Sequence, residues 1–160
     1  MIASITHRWL PSALLFTLAL VFAAAGCSKG PVMVQVRGKV LNKDGSVPKG
    51  GIRVVRFEPT QDSTALVRQV ASGQIGDDGT YELFSKRPGD GVNIGKYNVT
   101  FTFWKGPHEP GSLVLEKYTA SATTPYKDIL VDHDQDDLNF QVEPLAAGAT
   151  AGAQSGGPGP

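Results

Sequence analysis

The chain predicts an all-β domain, a seven-stranded Greek-key sandwich placed behind an apolar leader. Three observations carry this. Short runs rich in valine, threonine and aromatics alternate apolar with polar residues, the period of a half-buried strand. Turn-forming Gly, Pro, Asn and Asp recur between these runs, and 19 glycines and 11 prolines disfavour long helices. Finally, no helical stretch separates the strands as a βαβ unit requires.

The elements follow in order. Val32, Val34, Val36 and Val40 share one face, with Gln35, Arg37 and Lys39 between them. Asn42-Lys43-Asp44-Gly45 then forms a turn. The next strand carries Ile52 and Val54, then Val55 and Phe57. That slip in a period-two pattern predicts a β-bulge near Val54, and Pro59 ends the strand. A third strand runs from Leu66 to Ile75 with Ala71, Gly73 and Ile75 inward, and Asp77-Asp78-Gly79 closes a hairpin to Tyr81 and Leu83. Tyr97, Val99, Phe101 and Phe103 face the core opposite Asn98, Thr100 and Thr102. Ile129 to Val131 and Leu138 to Val142 complete the seven.

Four segments emerge: a leader over 1–26, a linker over 27–31, the sandwich over 32–144 and a Gly/Ala/Pro-rich tail over 145–160. The tail has neither charge nor apolar period, so it cannot offset its ordering entropy and is expected to be disordered. The 15 basic and 15 acidic residues balance, and loss of Arg8 with the leader leaves one negative charge in excess. Nucleic acid is thereby disfavoured as a partner, because phosphate binding needs a clustered basic surface. One cysteine allows no internal disulfide, so stability must come from the core of a domain of about 110 residues.

That cysteine, Cys27, closes the run Val21-Phe22-Ala23-Ala24-Ala25-Gly26. Behind His7, Arg8 and an apolar stretch containing Pro11, the pattern reads as an export signal rather than a retained span. It resembles the bacterial lipobox, with Ala24 where leucine is commonest. The resemblance implies a lipoprotein signal peptide cleaved between Gly26 and Cys27, a diacylglycerol thioether on Cys27, and a further acyl chain such as palmitate on the new amino terminus. Each buried methylene contributes roughly 0.8 kcal/mol, so two or three chains give on the order of 20 kcal/mol and a permanent membrane anchor. Ser28 follows in place of the aspartate that resembles an inner-membrane retention signal. A cell-envelope, outer-membrane location is therefore expected, facing the periplasm or the cell surface.

A second resemblance rests on Gly38-Lys39-Val40, Pro48, Val55-x-Phe57-x-Pro59, Asp78-Gly79-x-Tyr81-x-Leu83 and Gly95-x-Tyr97-x-Val99. Over Val34 to Val142 the chain resembles the carboxypeptidase regulatory-like, or transthyretin-like, domain. This implies a prealbumin-like sandwich acting as a non-catalytic binding module for protein or polysaccharide. A structural component of an envelope complex is the alternative, and an unrecognised hydrolase a third reading. Some transthyretin relatives hydrolyse a purine-derived ring with histidines, an arginine and a serine-ending carboxyl terminus. Here His7 leaves with the leader, and the carboxyl terminus is the Gly/Pro tail. No catalytic residue and no cofactor are nominated.

Two constellations remain. Asp132, Asp134 and Asp136 have the one-three-five spacing of a calcium loop, with Glu143 at the twelfth place. The sixth place is Asp137 rather than glycine, and the flanks are strands, so a polar turn is the expectation. Trp104 and His108, on and beside a proline-rich loop, are candidate binding residues, because exposed aromatics stack on sugars or partner side chains.

The anchor has a direct test. Cys27→Ser removes the acyl acceptor, so the precursor stays unprocessed or is released without lipid. Metabolic labelling with an alkyne fatty acid should mark the wild type and not the variant.

Overall fold

Ten residues from Gly95 to Trp104 form the longest strand, because β-branched and aromatic side chains alternate along it on a buried face. The computed structural model describes residues 30–109 and 111–146, and among these the chain is all-β. Nine strands are present: β1 (Met33–Val34), β2 (Arg37–Asn42), β3 (Ile52–Pro59), β4 (Ala71–Gln74), β5 (Thr80–Glu82), β6 (Val92–Asn93), β7 (Gly95–Trp104), β8 (Ile129–Val131) and β9 (Phe140–Val142). A single turn of 3-10 helix, Glu116–Tyr118, lies between β7 and β8. Seven strands fall into a three-stranded sheet ordered β5-β2-β9 and a four-stranded sheet ordered β4-β3-β7-β8. The short β1 and β6 pair separately. The leader over 1–26, Cys27 and the tail beyond Ala146 lie outside the described residues.

Several expectations are corrected. β3 pairs with β7 in one unbroken antiparallel register from Ile52↔Trp104 to Pro59↔Tyr97, so there is no bulge near Val54. Val55 and Phe57 face the core, while Ile52 and Val54 take the opposite, half-buried face. The apolar pair that suggested a slipped phase is two faces of one regular strand. The first strand divides into β1 and β2, and Val32 is 52% exposed rather than inward. The third strand shrinks to Ala71–Gln74, leaving Leu66, Val67 and Val70 at the surface.

The expected hairpin at Asp77-Asp78-Gly79 is made only at its ends. Ser72 and Phe84 exchange two backbone hydrogen bonds of 3.0 Å, and Gly76 N–H donates to the Thr80 carbonyl at 2.8 Å. Between those points β4 pairs with β3 and β5 with β2, so the hairpin spans the corner from one sheet to the other. Gly73 permits this close corner: a Cβ there would stand 2.4 Å from the Glu82 carbonyl oxygen. Gly38 serves the same end on β2, where a Cβ would meet the Leu138 oxygen at 2.1 Å.

The two larger sheets face each other across an aromatic cluster. Phe101 on β7 and Phe140 on β9 meet edge to face at 5.7 Å, and Phe140 also contacts Phe57, Tyr81 and Tyr126. Tyr118 from the 3-10 turn meets the Phe101 edge at 6.4 Å. Burial pushes the phenol of Tyr97 up to about 12, and its hydroxyl donates to the Asn93 carbonyl at 2.6 Å. The outer face of β7 is not uniformly open: Thr100, expected outside, is only 4% exposed. Its neighbour Asn98 is held by Ser121 and by the Asp128 amide, so the segment before β8 folds over this face.

This arrangement sets a core test. Phe101→Ala should cost about 3–5 kcal/mol, the usual loss for a buried phenylalanine, whereas Arg56→Ala on the exposed face should stay within about 0.5 kcal/mol. Urea melts of the chain from Lys29 onward separate the two.

Candidate functional site

Because opposed residues of an antiparallel pair share a face, the register of β2 with β5 projects Arg37 beside Glu82 and Lys39 beside Thr80, away from the core. The segment Asp136–Asn139 runs alongside, and together with Gln74 and Gly76 these residues enclose an open groove of about 680 Å³. Arg37 forks to Glu82 Oε1 at 3.0 Å and Asp136 Oδ1 at 3.3 Å. Both ion pairs are solvent-exposed, so they fix the guanidinium's direction more than they stabilise the fold. Asn139 Oδ1 accepts the Lys39 amide at 2.7 Å, and Asp78 accepts both the amide and the hydroxyl of Thr80. Those bonds hold the Asp78 carboxyl below its ordinary range, the Thr80 hydroxyl being the larger cause. The ring of Tyr81 is buried beneath the groove, with its hydroxyl donating to the Leu138 carbonyl at 2.6 Å. The groove therefore offers charges of both signs and amides, with no exposed ring.

The structure does not bring the four candidate calcium ligands together. Asp134 accepts the Gln35 amide, Asp136 pairs with Arg37, and Asp132 faces His133. Glu143 turns instead toward Lys117 Nζ at 2.5 Å, the Tyr118 hydroxyl at 3.0 Å and Lys43 Nζ at 3.2 Å. Among the described residues no three acidic, histidine or cysteine side chains gather as a metal site. The acidic run is an irregular segment whose carboxylates meet separate partners, Asp132 the neighbouring His133, Asp134 the Gln35 amide and Asp136 the Arg37 guanidinium.

Trp104 is half-buried at the end of β7, opposite Ile52. His108 is exposed at the tip of the Gly106–Glu109 turn. No hydrogen bond joins the two, and neither lines the groove. A second cavity, of about 410 Å³, lies at the opposite end of β2 between Val47, Pro48, Leu113 and Leu145, with buried Asn42 in its wall. Outward-pointing Arg37, Lys39, Thr80 and Glu82 are all legible from alternation. That they face one another is not, since the sequence does not say which strand β2 adopts as its neighbour. Cys27, the candidate lipidation site, lies outside the described residues.

The chain matches no protein-family model, no curated protein and no solved structure at a significant level.

Glu143 supplies a pH test. The Lys117 ammonium, then the Tyr118 hydroxyl and Lys43, hold its carboxyl down at about 2, against an ordinary 4.5. A depressed folded value means that its stabilisation is complete above 4.5 and is lost as pH falls toward 2. The melting midpoint of the wild type should therefore fall more steeply across that window than that of Glu143→Gln.

Proposed function

We propose that this protein is a lipid-anchored component of the cell envelope whose transthyretin-like, Greek-key domain is a non-catalytic module binding another protein through the groove over β2 and β5. The observation that carries this reading is the groove's chemistry. Arg37 and Lys39 stand against Glu82, Asp136 and Asp137 around an open channel. Preset charges of both signs favour a peptide segment carrying complementary charges, and they fix register more than affinity. A polysaccharide is less well served: sugar stacking needs an exposed aromatic face, and Tyr81 is buried with its hydroxyl occupied.

The fold part of the reading is supported by the strand arrangement. Seven strands divide between a three-stranded and a four-stranded sheet, and β2 lies between β5 and β9 rather than beside its sequence neighbours. Long crossing connections of that kind belong to Greek-key sandwiches. The envelope location rests on the lipobox pattern ending in Cys27.

In-cell photo-crosslinking tests the reading. A photoreactive residue at Thr80 or Asn139 should yield one discrete protein adduct that Arg37→Glu abolishes, while the same probe at Thr102 yields none. Retention on purified cell-wall glycan, with no protein adduct from the groove, would replace the protein reading by the polysaccharide one.

A further inference from the structure

The large apolar side chains left at the surface are unevenly distributed. Val32, Met33, Leu66, Val67, Val70 and Leu130 are each more than a third exposed, Leu66 at 77%. Every one belongs to a segment that converges on the stretch from Ser85 to Lys96. Met33 pairs with Asn93, and the Val32 carbonyl accepts the Ile94 amide. A Cβ on Gly95 would stand 3.0 Å from that of Ala65, which places the Leu66–Val67 loop there. Gln69 binds the Ser85 carbonyl, bringing Val70 alongside, and Leu130 lies opposite Lys96. At the far end of the domain the exposed residues are charged instead: Asp44, Lys49, Lys105 and Glu109.

Charge divides this end in two. On the flank of Met33 and Leu66 the exposed cations are Arg68, Lys86 and Arg87, which make no ion pair among the described residues. The carboxylates there are engaged: Asp62 pairs with Lys96 at 3.0 Å, and Asp90 accepts the amides of Ser85, Lys86 and Arg87. That capped loop holds Lys86 and Arg87 outward beside the apolar residues. On the flank of Leu130 stand the exposed Asp128, Asp132 and Lys127, while Asp134 is engaged by the Gln35 amide at 2.7 Å.

Chain length supplies the occupant. Only Ser28, Lys29, Gly30 and Pro31 separate Cys27 from Val32, a reach of at most about 18 Å even when fully extended. An apolar patch fringed by cations suits the boundary between acyl chains and anionic headgroups. We propose that the domain rests on the membrane through this flank, Met33, Leu66, Val67 and Val70 entering the lipid interface while Arg68, Lys86 and Arg87 engage acidic phospholipid headgroups. The inference rests on the acylation of Cys27 and adds a fixed orientation. The far end is then presented away from the lipid, instead of swinging on a tether.

The test uses the full lipidated protein in phospholipid vesicles, zwitterionic alone or with phosphatidylglycerol. Thioether formation consumes the only native thiol, so a nitroxide can be placed singly at Leu66→Cys, Val67→Cys, Leu130→Cys or Lys49→Cys. The ratio of oxygen to nickel-chelate collision rates should be several-fold higher at positions 66 and 67 than at 130 and 49. Lys86→Glu with Arg87→Glu should remove most of the gain that phosphatidylglycerol adds. Water-like ratios at 66 and 67 in protein shown by mass spectrometry to be acylated would overturn the docking alone. Spin–spin broadening at 66 would overturn it in favour of a second copy of the chain. Absence of the acyl mass would instead overturn the anchor, a failure read separately from the collision ratios.

Discussion

The contact between Phe101 and Phe140 is the one on which the described structure depends. It joins the long strand of the four-stranded sheet to the last strand of the three-stranded sheet, edge to face at 5.7 Å. Phe57, Tyr81, Tyr118 and Tyr126 gather around this pair, so both sheets and the connection between β7 and β8 bear on the same few rings. β9 is only three residues long and pairs with β2 alone. Its ladder bonds would not hold it without that anchoring ring. Tyr126 completes the arrangement by donating to the Gln141 carbonyl and accepting the Gln141 amide, which closes the free edge of β9.

From this clamp the groove follows. Once Phe140 is seated, the preceding residues must run beside β2, and Gly38 is the position that lets the Leu138 backbone approach. Asn139 then reaches the Lys39 amide and Asp136 reaches Arg37. The polar site is thus a consequence of how the last strand is held, and its charged residues are positioned by backbone geometry more than by their own weak, exposed ion pairs. The same segment explains the calcium-like spacing, whose aspartates are spread along the path into β9 and meet separate partners.

The two ends of the domain have different chemistry. The amino-terminal entry, the Leu66 loop and the capped loop before β6 share an apolar and basic end, while the last described residues leave from the other.

The sequence by itself determined what depends on local pattern: the all-β class, the inward rows of β2, β5 and β7, and the turn at Asn42–Gly45. These follow from period-two alternation and turn chemistry, which act over a few residues. The four-segment layout and the lipobox resemblance ending in Cys27 are expectations from linear order alone. Only the tertiary structure decided which strands pair, because partnership depends on chain segments far apart in sequence. Alternation could not show that β3 runs unbroken past Val54, since a strand pairing on both sides tolerates apolar residues on its outer face. Nor could it show Thr100 buried beneath a folded-over connection, or Glu143 drawn to Lys117 and Lys43. Spacing records where carboxylates lie along the chain, and the register between strands decides what each of them meets.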